Sequence, residues 1–255
     1  MLEAIILGIV QGITEFLPVS STAHLILCPW FFNWSGEVDT LTFDIALHAG
    51  TLFALILCFW RDWIEIISKK RRLLGLIILA SIPAGTAGFF LNDIAENDLR
   101  EPLIISIMLI AVGFLMLIAE KVNKYKNMEK TGLKDAIIIG IAQAIAIIPG
   151  VSRSGITISA GLFRGFERET AARFSFLLST PIIAGATILH IREAFTGPVN
   201  YDFKVFSIGI ITSCVTGFIA INFLLNFLKK YPLNLFVYYR FLLSAIIIAS
   251  IWLKG

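Results

Sequence analysis

With 255 residues, 57% of them hydrophobic and 15% charged, and a mean hydropathy of +0.85, the chain is far more apolar than a water-soluble domain of this length. A formal net charge of +3, with its basic residues gathered in short loops, excludes an extended nucleic-acid-binding surface. Cys28, Cys58 and Cys214 each stand alone in an apolar run, which excludes a disulfide framework or thiolate metal site and makes them small buried hydrophobes.

The first segment is apolar from Leu2 onward and lacks the basic flank of a signal peptide, since the first Lys or Arg is Arg61; it is expected to remain in the mature protein. As a helix, residues 2–17 would be about 24 Å long, short of the roughly 30 Å hydrocarbon core. Pro18 then removes a helix donor and clashes with the preceding turn. Apolar stretches follow at 43–60, 73–91 and 102–119. A second short segment, 135–148, would be about 21 Å as helix and is broken at Pro149-Gly150. Three more apolar stretches close the chain, at 174–190, 205–228 and 233–253. Each of the six is close to the roughly 20 residues that span a bilayer, and inside hydrocarbon the backbone can satisfy itself only as helix. The expected fold is all-α integral membrane, with six transmembrane helices plus two re-entrant helical hairpins.

Charge sets the orientation. Arg61, Lys69, Lys70, Arg71 and Arg72 mark a cytoplasmic loop, whereas Asp93, Glu96, Asp98 and Glu101 against Arg100 mark an external one. Lys121, Lys124, Lys126, Lys130 and Lys134, and later Lys229 and Lys230, fall on the cytoplasmic side, where Arg164, Arg168 and Arg173 read as orientation signals. Residues 1–42 and the carboxyl end fall outside. Arg240, within the last stretch, is expected to snorkel to the interface about 10 Å away. His48 and His190 read as packing or interface residues, and Asp44 as a residue bordering the outer entrance.

An offset of 132 lays Gly8-Ile9-Val10-Gln11 on Gly140-Ile141-Ala142-Gln143, Val19-Ser20-Ser21 on Val151-Ser152-Arg153, Ser81 on Ser213 and Gly85 on Gly217. The chain therefore reads as one membrane domain, 1–255, made of repeats 1–131 and 132–255. Three net crossings per repeat turn the second half upside down, an inverted-topology arrangement in which the two hairpin tips meet near the midplane.

The first tip carries Gln11 and Glu15 on one helix face, then Ser20, Ser21, Thr22 and His24. A helix starting near Thr22 would aim free amides and its positive dipole end at an anion. His24 is expected close to the Ser20 and Ser21 hydroxyls as a base or proton donor. The second tip, Pro149-Gly150-Val151-Ser152-Arg153-Ser154-Gly155, adds a guanidinium shaped for phosphate oxygens, with glycines for close backbone approach. Ionisable groups within hydrocarbon are functional candidates by default.

These residues carry a resemblance. Gln11-xxx-Glu15 followed by Pro18-Val19-Ser20-Ser21-Thr22-Ala23-His24 resembles the first signature of the undecaprenyl-diphosphate phosphatases of the bacitracin-resistance family, and Pro149 through Gly155 resembles the second. The family accepts Glu or Gln at the Gln11 position, and Gln here leaves Glu15 more of the metal-binding and proton-transfer role. The resemblance implies an integral enzyme of the bacterial cell membrane that dephosphorylates undecaprenyl diphosphate on the outer face, depends on a divalent metal and is linked to bacitracin tolerance.

The expected catalytic residues are Ser21, His24, Glu15 and Arg153. The diphosphate is expected on Ser20, Thr22, Gly150, Ser152, Arg153 and Ser154, with Mg²⁺ or Ca²⁺ on Glu15 and Gln11. Ser21 is the preferred nucleophile, with His24 or Glu15 taking its proton and an activated water as the competing route. The expected partners are the polyprenyl diphosphate lipid and the bilayer, with a homodimer allowed and no nucleic acid. A transporter or flippase of a polyprenyl phosphate lipid is the rival reading, since paired broken hairpins are also a transporter signature.

Overall fold

The computed structural model of the chain describes residues 1–97, 99–196 and 202–254, apart from the side chains of 92, 93, 96, 97, 190–196 and 254. The expectations for Asp93, Glu96, Asp98 and His190 concern side chains outside that description. Ten α-helices make up the described fold: α1 (Leu2–Phe16), α2 (Ser21–Phe32), α3 (Leu41–Ser68), α4 (Arg71–Asn97), α5 (Pro102–Glu120), α6 (Leu133–Ile145), α7 (Arg153–Phe163), α8 (Arg168–Thr196), α9 (Phe203–Leu228) and α10 (Asn234–Lys254). No strand occurs among the described residues.

Six of these helices, α3, α4, α5, α8, α9 and α10, are long and apolar enough to cross a membrane, and each coincides with one of the six apolar stretches to within a residue or covers it. The other four are shorter and form two pairs, α1–α2 and α6–α7, joined at the proline-bearing breaks. Helix starts repeat at the offset of 132: Ser21 and Arg153, Arg71 and Phe203, Pro102 and Asn234.

Glycine sets how closely the short helices approach the long ones. α1 packs on α9 and α6 on α4. A Cβ on Gly12 would lie 1.9 Å from Thr216 Oγ1 and 2.7 Å from the backbone of Ser213 and Gly217, and one on Gly140 would lie 2.5 Å from the Ala80 carbonyl oxygen. Small residues at such crossings let backbones come together, which is how helices associate where apolar burial gives no net drive. Gly8 is held against Thr212 and Gly140 against Ala80, so contacts related by the same offset recur with the halves exchanged.

Charged side chains gather at two ends. Asp135 pairs with Lys126 and Arg164, Glu120 with Lys124 and Arg168, and Asp62 with Arg173; Asp44 pairs with Arg100. Asp44 and Asp62 lie on α3 roughly 27 Å apart along its axis. Arg164, Arg168 and Arg173, read from the sequence as orientation signals, are thus also the ties that join α3, α5, α6, α8 and the end of α7. Burial would push the Asp135 carboxyl up, but the Gly132 amide and the Arg164 and Lys126 cations prevail and hold it below its ordinary value. The three cysteines are free and partly buried, as small apolar side chains.

Candidate active site

The two breaks are built alike. α1 ends at Phe16, and the chain turns through Leu17, Pro18 and Val19 to Ser20, whose φ of 76° is unusual for a residue with a side chain. Ser20 caps α2 by accepting the Ala23 amide on its hydroxyl. In the second break Ser152 has φ 71° and accepts the Gly155 amide at 3.1 Å, capping α7. The offset of 132 thus pairs two serines with the same strained backbone and the same capping role, a cost that recurs at functional sites.

Glu15, 6% exposed, is where the breaks meet. Its Oε1 accepts from Arg153 Nη2. Its Oε2 accepts from Ser21 Oγ at 2.7 Å and from Gln11 Nε2 at 3.1 Å, and lies 3.4 Å from His48 Nε2. Local structure explains this convergence. Gln11 and Glu15 are one helical turn apart on α1, Ser21 is the first residue of α2, and Arg153 is the first of α7, so both amino-terminal helix ends face the carboxylate. Beside the cluster lies a cavity of about 290 Å³ lined by Thr22, Asp44, His48, Arg100 and Arg153 together with apolar side chains.

A model of the bacitracin resistance protein BacA family matches residues 4–246. The chain belongs to this family. Among its relatives, a protein of Thermodesulfovibrio yellowstonii called undecaprenyl-diphosphatase is 59% identical over 97% of this chain and 96% of its own length. Proteins of the same name are 49% identical in Moorella thermoacetica, over 100% of this chain and 99% of the relative, and 45% identical in Desulforudis audaxviator, over 99% and 98%.

Set against what the family signatures imply, the structure brings Glu15, Ser21, Gln11 and Arg153 together and places Thr22 on the cavity wall. His24 requires a correction. Its Nδ1 donates to the Ser20 carbonyl at 2.7 Å, and its Nε2 meets Tyr239 Oη at 2.7 Å with the two rings stacked, so the ring engages α10 and not the serine hydroxyls. The cause is helical register: His24 lies one turn beyond the Ser20 cap and turns its side chain onto the helix surface.

Gly150 packs against a neighbouring helix. Its φ of 91° and a Cβ position only 2.6 Å from the Ile105 carbonyl oxygen show that its missing side chain lets the break approach α5 closely. Ser152 and Ser154 bond each other, and Ser154 donates to the Leu17 carbonyl across the breaks. They brace the site.

Two titratable residues have roles that differ from the sequence expectation. His48 is not a packing residue: its Nδ1 donates to the Asp44 carbonyl at 2.7 Å, which aims Nε2 at Glu15. Arg240 does not snorkel. Fully buried, it donates through Nε to Leu109, through Nη1 to Pro18, and through Nη2 to the Met108, Gly150 and Val151 carbonyls. One guanidinium therefore fastens both breaks to α5. The signal available for both residues was the rarity of ionisable groups inside apolar spans.

Proposed function

We propose that the chain hydrolyses undecaprenyl diphosphate to undecaprenyl phosphate and inorganic phosphate, which recycles the lipid carrier for peptidoglycan synthesis and contributes to bacitracin resistance. The observation that carries this reading is the seating of Arg153 from the second signature on Glu15 from the first, with the Ser21 hydroxyl on the same carboxylate, at the wall of a cavity with apolar sides. The relatives named undecaprenyl-diphosphatase support the same activity.

In the resting state Arg153 is balanced by Glu15. A diphosphate entering the cavity shares that guanidinium, whose planar fork suits phosphoryl oxygens and neutralises the charge that grows as the bridging P–O bond breaks. Glu15 takes the proton from Ser21 as its oxygen attacks the terminal phosphorus, undecaprenyl phosphate leaves, and water then releases the phosphate from the serine. Direct attack by a water held on Glu15 uses the same groups. Trapping a phosphorylated Ser21 separates the two routes, and no trapped intermediate favours water. His48 orients Glu15 through its 3.4 Å contact, and Ser20 and Ser152 hold the two helix ends toward the anion. Thr22 and Arg153 contact the diphosphate from the cavity wall.

The residues suit a hard divalent cation. Gln11 Oε1 is buried without a partner among the described residues, one helical turn from the Glu15 carboxylate. These oxygens match Mg²⁺ or Ca²⁺, with the remaining ligands drawn from the diphosphate, because no group of three or more His, Cys, Asp or Glu side chains sits together among the described residues. Such an ion would supply charge neutralisation at the diphosphate oxygens.

The repeated helix starts, the paired positive-φ serines and the exchanged glycine contacts support a single domain of two inverted repeats, with α1–α2 and α6–α7 as re-entrant hairpins. The acidic and basic ends support an opening on the outer face, since the cavity reaches the Asp44–Arg100 pair and not the lysine-rich end. Purified protein in detergent, supplied with a polyprenyl diphosphate and Mg²⁺, releases inorganic phosphate on this reading. Lipid flux in sealed vesicles without phosphate release would overturn it in favour of translocation.

A further inference from the structure

Two polar side chains that line the cavity have no hydrogen-bond partner among the described residues. Gln143 on α6 is 3% exposed and Thr187 on α8 is 5% exposed, and both line the same cavity as Arg153 and Arg100. Neither Gln143 Nε2, Gln143 Oε1 nor Thr187 Oγ1 has a hydrogen-bond partner among the described residues. Buried polar atoms are nearly always satisfied, and exceptions call for an explanation.

The surroundings make the exception sharper. Gln143 corresponds to Gln11 at the offset of 132, but Gln11 spends its amide on Glu15 one turn later, whereas one turn after Gln143 stands Ile147. Thr86, Thr157, Thr180 and Thr216 each donate to the carbonyl four residues back, the usual resort of a threonine within a helix. Thr187 does not.

We propose that Gln143 and Thr187 form an uncharged subsite that holds the phosphate retained on the lipid, while the Glu15–Arg153 cluster receives the phosphoryl group that is released. The inference rests on the phosphatase reading and adds a division of labour to it. A diphosphate carries two groups of acceptors, and Arg153 with the helix ends accounts for one. The other needs donors elsewhere in the cavity, and Gln143 and Thr187 are two buried side chains there whose polar atoms have no partner among the described residues. Neutral donors bind an ester phosphate without the strength of a charge pair, so the product can leave. The apolar remainder of the wall, including Ile45, Ile182 and Ile183, suits the isoprenoid that follows.

The test uses the full chain in detergent with a polyprenyl diphosphate as substrate, and polyprenyl monophosphate or inorganic phosphate as competitive inhibitors. Gln143→Met and Thr187→Val keep volume and remove the donors. Each is expected to raise KM about tenfold, the size of one lost bond to a charged group, with kcat within about twofold. The inhibition constant of the monophosphate rises by the same factor and that of inorganic phosphate does not. Thr187→Ser restores wild-type KM. Thermal stability does not fall in Gln143→Met, since no bond within the protein is lost, which separates a ligand role from a structural one. Unchanged KM and monophosphate inhibition in both variants, with an active wild type, overturns the subsite. A rise confined to inorganic phosphate overturns the assignment of which phosphate sits there. A wild type that releases no phosphate removes the phosphatase reading itself, and the subsite with it.

Discussion

Replacing Arg240 by methionine removes the fastening between the two breaks and leaves a shorter, uncharged side chain in its place. In the native protein its Nη1 serves Pro18 at 3.2 Å, and its Nη2 serves Gly150 at 2.9 Å and Val151 at 3.2 Å, three carbonyls that lie in turns rather than in helix interiors. A buried acceptor left without its donor costs about 1–3 kcal/mol. Three of them amount to roughly 3 kcal/mol at the low end. For a chain of this size about 1 kcal/mol corresponds to roughly 2–4 °C, so Arg240→Met is expected to lower the midpoint of thermal unfolding in detergent by roughly 6–12 °C. Because the released turns carry Ser20, Ser21, Ser152 and Arg153, kcat/KM falls as well, by about 100-fold, equivalent to about 2.7 kcal/mol. Arg240→Lys recovers only part of either loss, since an ammonium lacks the fork that reaches three carbonyls. A midpoint within about 2 °C of wild type, with full activity, would refute the fastening role.

His48→Leu removes the contact that aims Glu15 and is expected to lower kcat/KM about 10–100-fold, as for one charge-assisted bond; phosphate release at wild-type rate would show that His48 merely fills space. Asp135 titrates below the ordinary carboxylate value of about 3.9, so its stabilising contribution is complete above that value and is lost as pH falls through its lower folded-state value. Melting followed from pH 7 downward should therefore show the wild type losing its advantage over Asp135→Asn on acidification, and parallel curves would contradict this. Gly12→Ala forces a methyl against Thr216 Oγ1 and the Gly217 and Ser213 backbone and should cost about 1–3 kcal/mol. Adding Thr216→Ala should recover part of it but not all, and an unaltered midpoint in the single variant would show that α1 and α9 separate freely.

The six spans were legible because each apolar run is long enough to cross a bilayer, and the structure places a suitable helix on every one. The glutamate and arginine of the site were legible because an ion inside hydrocarbon needs a partner, and proline and glycine marked the two breaks that bring them together. His48 and Arg240 stayed hidden for a common reason. Their partners, Glu15 and the turn carbonyls, lie far away in the chain, and no local pattern reports which face of α3 or α10 will meet them. For Arg240 a snorkelling reading was physically sound at the level of one helix, and only the close approach of α5 and α10 turns the side chain inward. His24 shows the opposite error: sequence proximity to two serines suggested a contact that helical register redirects to Tyr239.

Glu15 is the point at which both signatures converge, and Glu15→Gln changes its charge with almost no change in shape. Measured as phosphate release from a polyprenyl diphosphate by purified protein, this variant is expected to lose at least about a thousandfold in kcat/KM, on the order of 4 kcal/mol, while still folding as a helical membrane protein. Activity within tenfold of wild type would contradict the assignment of this carboxylate to the chemistry.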